Sequence, residues 1–80
     1  MDTVECLSSS AYPERPIALT WEGERLEITT ILSQWRTPEA LWFRVQTLRH
    51  AQRGARDLRT FDLAFFEAEA RWQIQPISGG

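Results

Sequence analysis

The sequence predicts an all-β domain: a small five-stranded antiparallel meander curled into an SH3-like barrel, with one short helical turn near residues 48–53. Three observations lead there. Apolar residues alternate with polar ones in short runs, first Ile17, Leu19 and Trp21, then Leu26 and Ile28, the period-2 signature of strands with one buried and one wet face. Tight-turn signals such as Glu22-Gly23 separate the runs. Aromatic residues are dense: Trp21, Trp35, Trp42, Phe43, Phe61, Phe65, Phe66 and Trp72 all fall within residues 15–77. At about 150–250 Å² buried per ring they support a core in a domain small enough for its stability to be marginal.

The first fourteen residues have no period, a Ser8-Ser9-Ser10 run and Pro13, and are expected to be a flexible lead-in. Residues 15–77 form the single β domain, and 78–80 a flexible C-terminus. Pro13 and Pro16 bracket the start of strand one, about 17–21, where a missing N–H is tolerated on an edge. Strand two runs from Arg25 towards Leu32. Its alternation slips after Ile28, because Thr29-Thr30 precede two apolar neighbours, Ile31 and Leu32; a bulge or bend there restores the inward face.

Residues 37–53 satisfy two templates. As a helix, Thr37 caps, Pro38 fits the first turn, Gly54 terminates, and Leu41, Val45 and Leu48 share a face. As a strand, Leu41, Phe43 and Val45 alternate with Trp42, Arg44 and Gln46. The bulky run WFRV favours a strand at 41–47, followed by the helical turn. A polar connection with Gly54 at its tip leads to strand four, about 58–66, with Phe61, Leu63 and Phe65 on one side. A short turn at Glu67–Ala70 precedes strand five, about 71–76, with Trp72 and Ile74 inward and Pro76 ending the ladder. An unpaired edge, strand one or five, is available for pairing between two copies, against which Pro16 and Pro76 argue.

Net charge is −2, which disfavours a general polyanion binder, but it is unevenly spread. Up to Trp35 two arginines face six acids, a balance of −4; from Arg36 onward seven arginines face five acids, a balance of +2. All nine basic residues are arginine, which the base composition of a GC-rich genome explains more simply than selection for guanidinium chemistry. The single cysteine, Cys6, excludes an intrachain disulfide and suits a reducing compartment. No apolar stretch approaches the roughly 20 residues that span a bilayer, and no signal peptide is visible. A cytoplasmic location and no membrane association are expected.

Taken in order, RPIALTWEGERLEI, the Trp35-Arg36 pair, WFRVQT and LRTFDLAFFEAEARWQI resemble a small bacterial domain of unknown function, DUF6504, over about residues 15–75. That family occurs alone and as the C-terminal appendage of mutasome-type Y-family DNA polymerase homologues. The resemblance rests on the Trp21-x-Gly23 turn, the Trp-Arg pair, the Phe43-Arg44-Val45 strand and the Arg71-Trp72 pair. It implies a small β fold and a link to DNA repair or translesion synthesis, and it carries no catalytic residues. The chain departs from the family pattern in a longer, more basic loop after Val45 and in Phe65-Phe66, where a tyrosine-rich stretch is expected.

Catalytic chemistry finds little to work with. His50 is the only histidine; with one cysteine it cannot build a structural zinc site. Glu22/Glu24 and Glu67/Glu69 sit in turns, where charged residues are ordinary, and no glycine-rich phosphate loop is present. The chain is read as a non-catalytic module without a cofactor. Its candidate contact residues are Arg36, Trp42, Arg44, Arg49, Arg53, Arg56 and Arg59. Trp21, Trp35 and Trp72 are in phase with inward neighbours and are assigned to the core, whereas Trp42 is out of phase and faces outward beside Arg36 and Arg44. The favoured function is a protein-interaction or accessory module linked to bacterial DNA repair, as a monomer or weak homodimer. The alternative is a nucleic-acid-binding barrel, with the 44–59 arginines on phosphates and Trp42 or Phe66 stacking on bases; an enzyme is a distant third. Against the alternative, the arginines are expected to pair with acids of the N-terminal half.

Overall fold

The structure, a computed structural model, describes residues 3–6, 15–50 and 56–77. Among them are six strands and no helix: β1 (Thr3–Cys6), β2 (Pro16–Trp21), β3 (Glu24–Arg36), β4 (Ala40–His50), β5 (Arg56–Phe66) and β6 (Arg71–Ile77). Each pairs antiparallel with the next, in the order β1-β2-β3-β4-β5-β6, and the sheet curls into a half-barrel. The all-β meander matches the expectation, with one strand more than the five expected. The extra strand, β1, lies in the stretch read as a flexible lead-in; Val4 pairs with Leu19 and Glu5 with Ala18. Strand one of the sequence reading is therefore covered, and the sheet's outer strands are β1 and β6. The third predicted strand is longer than 41–47, since β4 continues through residues 48–50. The remainder of the expected helical turn, Gly54, and the flexible segments at 7–14 and 78–80 lie outside the described residues. No helix among the described residues is long and apolar enough to cross a membrane.

Local chemistry explains each reversal. The β2–β3 turn has Glu22 at φ 51° and Gly23 at φ 82°, the two successive left-handed positions of a type I′ hairpin turn, whose twist matches that of the flanking strands. The β5–β6 turn is held by Glu69 N–H to Phe66 O, 3.2 Å, and Ala70 N–H to Glu67 O, 3.3 Å. It leaves Ala70 left-handed at φ 50°, a conformation that costs an ordinary L-residue about 1–2 kcal/mol. β6 runs past Pro76, which stands opposite Phe61, to Ile77 opposite Thr60, so the expected end of the ladder at Pro76 is corrected. An outer strand tolerates a proline whose missing N–H faces away from its neighbour.

The slip expected after Ile28 is present twice. The β3–β4 register passes from Ile28↔Thr47 to Thr30↔Gln46, leaving Thr29 extra, and from Ile31↔Val45 to Ser33↔Arg44, leaving Leu32 extra. Each bulge bends and twists the strand, and the Thr29 hydroxyl donates to Gln46 O at 3.2 Å. One bulge exchanges the two faces, and a second exchanges them back. Trp35 therefore faces out of the half-barrel at 36% exposure, which corrects its assignment to the core.

The concave face holds the core: Leu19, Leu26, Leu41, Phe43, Val45, Phe61 and Leu63 are buried, with Trp21, Ile28, Ile31, Trp72 and Ile74 packed around them. Trp21 on β2 meets Phe61 on β5 edge-to-face at 5.9 Å, although two strands separate them in the sheet. Trp72 lies 5.1 Å from Phe65 and 6.1 Å from Phe43. Ile17, read as inward, is instead 39% exposed, because the β2–β3 ladder ends at Ala18↔Glu27. The buried hydroxyl of Thr47 donates to Arg59 O at 3.3 Å, which supplies its partner. β1 is tied to β3 over the intervening β2 by a bidentate pair, Arg25 Nε to Glu5 Oε2 at 2.8 Å and Nη2 to Oε1 at 3.1 Å. That hydrogen bond holds the Glu5 carboxyl below its ordinary value of 4.5.

Two outcomes follow. Ala70→Gly relieves the left-handed strain and raises stability by up to about 1 kcal/mol in chemical denaturation; unchanged or lower stability contradicts the turn geometry. A carboxylate whose value falls on folding contributes stability above its unfolded value and loses it as pH drops through the folded one. In an NMR titration Glu5 should titrate below 4.5 and return towards that value in Arg25→Gln, with β1 losing amide protection at acid pH before β4 and β5.

Candidate interaction surface

The convex face is built by the same registers that build the core. Trp35 and Trp42 stand opposite each other on β3 and β4, and their rings stack at 5.7 Å between centroids with 9° between planes. An aromatic pair of this kind contributes about 0.5–1.5 kcal/mol beyond its buried area. The orientation of Trp42 is fixed from below: its Nε1–H donates to Thr37 Oγ1 at 3.1 Å. Thr37 in turn closes the β3–β4 turn, with Thr37 N–H to Ala40 O at 2.9 Å and Ala40 N–H to Thr37 Oγ1 at 3.2 Å. On the other side of Trp42, β5 places Ala64 opposite it, a fully buried methyl beside the large indole.

One row further along, β4 and β5 set Arg44 opposite Asp62. Arg44 Nε reaches Oδ1 at 2.8 Å and Nη2 reaches Oδ2 at 3.0 Å, the bidentate fork that matches guanidinium to carboxylate. The Arg44 guanidinium carbon also sits 5.6 Å from the Trp35 ring centroid. Asp62 is only 6% exposed; the carboxylate raises the Arg44 pKa through the hydrogen bond and its charge. The result is a fixed layer of Asp62, Arg44 and the stacked indoles, with Ser33, Gln46, Gln73 and Gln75 on adjoining positions of the same face.

The other candidate residues do not join this layer. Arg49 stands five residues beyond Arg44 on β4, roughly 17 Å along the strand, and the alternation turns it to the opposite face. There it pairs with Glu24 at 2.8 Å, one arginine that does meet an acid of the N-terminal half. Arg59 lies on the same concave side, its guanidinium carbon 5.2 Å from the Phe61 ring centroid. Arg36 closes the far end of β3 in an ion pair with Glu67. Arg53 and the side chain of Arg56 lie outside the described residues. Beside Arg36, an open cleft between the β3–β4 and β5–β6 turns is lined by Pro38, Glu39, Phe66, Glu67, Ala68 and Glu69, whose carboxylates repel phosphate.

Trp35 and Asp62 are the surface residues that sequence reasoning missed. Asp62 carries a signal, an acid within the apolar run Phe61–Phe66 and in the alternate phase to Phe61, Leu63 and Phe65. Among the described residues no group of three or more His, Cys, Asp or Glu side chains is arranged to hold a metal ion. The chain matches no family model, no curated protein and no solved structure.

The burial asymmetry of the ion pair gives a test. Removing Arg44 strands a buried carboxylate, whereas removing Asp62 leaves a half-exposed guanidinium that water can serve. Arg44→Ala should lower the unfolding midpoint more than Asp62→Ala, with the double variant closer to Asp62→Ala. Equal losses in the single variants contradict the burial assigned to Asp62.

Proposed function

We propose that this domain is a non-catalytic interaction module that binds a protein partner through the convex face centred on Trp35, Trp42 and Arg44. The observation that carries this reading is the stacked indole pair, Trp35 exposed and Trp42 half-buried, held in one orientation from both sides, by Thr37 beneath Trp42 and by Asp62 through Arg44. Tryptophan and arginine are the residues that most often dominate binding energy at protein interfaces. A rigid, pre-ordered layer also loses little side-chain entropy when it binds. The connection to bacterial DNA repair rests on the resemblance of the chain to the DUF6504 domain and goes no further than analogy. The lone Cys6 suits a cytoplasmic setting.

A second reading has one specific support: a sheet face with a solvent-facing tryptophan beside an arginine is also what stacks the bases of single-stranded nucleic acid. Against it, Arg44, Arg36 and Arg49 are each engaged by a carboxylate of the chain, and the net charge is −2.

Two measurements on the folded protein separate the readings. Labelled single-stranded DNA in a salt series should show no binding at low salt; steep, salt-sensitive binding that Arg44→Glu abolishes overturns the protein reading in favour of the second. A protein partner captured from the native cell extract should be lost by Trp35→Ala and Trp42→Ala and kept by Arg49→Glu plus Arg59→Glu. Retention by the tryptophan variants overturns the assignment of the convex face.

A further inference from the structure

The rows of the convex face that run from Trp35↔Trp42 to Thr30↔Gln46 carry two charged residues, Arg44 and Asp62, and these cancel in their bidentate pair. β6 extends the same rows with Gln73 opposite Ala64 and Gln75 opposite Asp62. The face is electrically neutral where the indoles stand, so neither a phosphate chain nor a strongly charged peptide finds a counter-charge there. β4 and β5, at its centre, are each paired on both sides, and they present side chains rather than free backbone. The polar groups also have a sense. The Arg44 fork uses Nε and Nη2, which leaves three N–H bonds outside it. Trp35 Nε1–H has no partner among the described residues. Both groups only donate. Asp62, the group that only accepts, is 6% exposed and already holds Arg44. Gln46, Gln73 and Gln75 donate or accept as a ligand requires. The surface excess is in donors, beside an apolar aromatic stack.

We propose that the convex face binds an uncharged, proline-rich segment of its partner in the polyproline II conformation, an assignment that rests on the protein-binding reading of this face. A proline residue brings a carbonyl acceptor and no N–H, which answers a face whose groups of fixed sense are donors. A polyproline II helix makes no internal hydrogen bonds, so its carbonyls are open to Arg44, Trp35 and the glutamines. Its pyrrolidine rings pack against aromatic side chains, and it is extended before it binds, so little conformational entropy is lost. A strand-forming peptide brings an N–H donor at every residue to a face already rich in donors. Single-stranded nucleic acid supplies acceptors and flat rings, but it also brings a negative charge at every phosphate. Arg44, the cation of these rows, is committed to Asp62 and does not neutralise that charge.

The test is titration of the full chain with a decamer of proline, followed through the indole N–H and side-chain amide signals in NMR. Binding with a Kd of about 1 mM or tighter is expected, with the Trp35 indole and the Gln73 and Gln75 amides among the signals that move. It should be indifferent to salt between about 0.05 and 0.5 M, and a glycine–serine decamer should not bind. Trp35→Ala should weaken binding about tenfold or more. Gln73→Ala plus Gln75→Ala should weaken it about threefold with an unchanged unfolding midpoint, since both residues are exposed on an outer strand. No binding of the proline decamer at about 10 mM, equal binding of the glycine–serine decamer, shifts confined to another surface, or a steep loss with salt overturns the proposal. Capture from cell extract reports separately on the face. A partner that is lost with Trp35→Ala, in a protein that does not bind proline, overturns the proline assignment alone. Capture that survives Trp35→Ala overturns the protein-binding reading beneath it.

Discussion

β4 and β5 pair over eleven consecutive residues without a shift, from Ala40↔Phe66 to His50↔Arg56. Because side chains alternate across a strand, this ladder decides the fate of both faces at once. Leu41, Phe43, Val45, Phe61, Leu63 and Phe65 fall on the concave side and become the core. Trp42, Arg44, Asp62 and Ala64 fall on the convex side and become the surface layer. A slip of β5 by a single residue would turn Asp62 into the core, away from Arg44, and put Phe61 and Phe65 in water. The cost of that exchange is what makes the register unique.

The two faces also support each other. The concave aromatics draw β2 and β6 towards the centre through Trp21–Phe61 and Phe65–Trp72, curling the sheet and spreading its convex side. On that side large and small residues alternate between strands, so Trp42 lies beside Ala64 and Arg44 reaches over to Asp62. The surface layer is thereby pre-ordered by packing that exists for stability. A domain of this length has a single thin core and gains order at its surface only where it is coupled to that core.

Much of this was legible in the sequence. The Glu22-Gly23 reversal, the alternation at Leu41, Phe43 and Val45, the bend after Ile28 and the outward position of Trp42 all follow from period and turn chemistry. β1 was not legible, because its four residues are too few to show a period and lie before the serine run. Trp35 was misassigned for a definite reason: its facing depends on the number of bulges in β3, and the apolar pair Ile31-Leu32 advertises one bulge where two occur. The arginine group read as one cluster was divided by strand parity, which the uncertainty between helix and strand at 37–53 concealed. Partnership between Arg44 and Asp62 depends on the β4–β5 register, which no local pattern supplies.

The domain is a two-faced sheet whose convex side carries a stacked Trp35–Trp42 pair while Trp21 and Trp72 pack against the core. Exciton coupling between stacked indoles in the far-ultraviolet circular dichroism spectrum tests it most directly. A couplet is expected that disappears equally in Trp35→Phe and Trp42→Phe and persists in Trp21→Phe and Trp72→Phe. A couplet that is absent from the native protein, or that survives the loss of either Trp35 or Trp42, contradicts it.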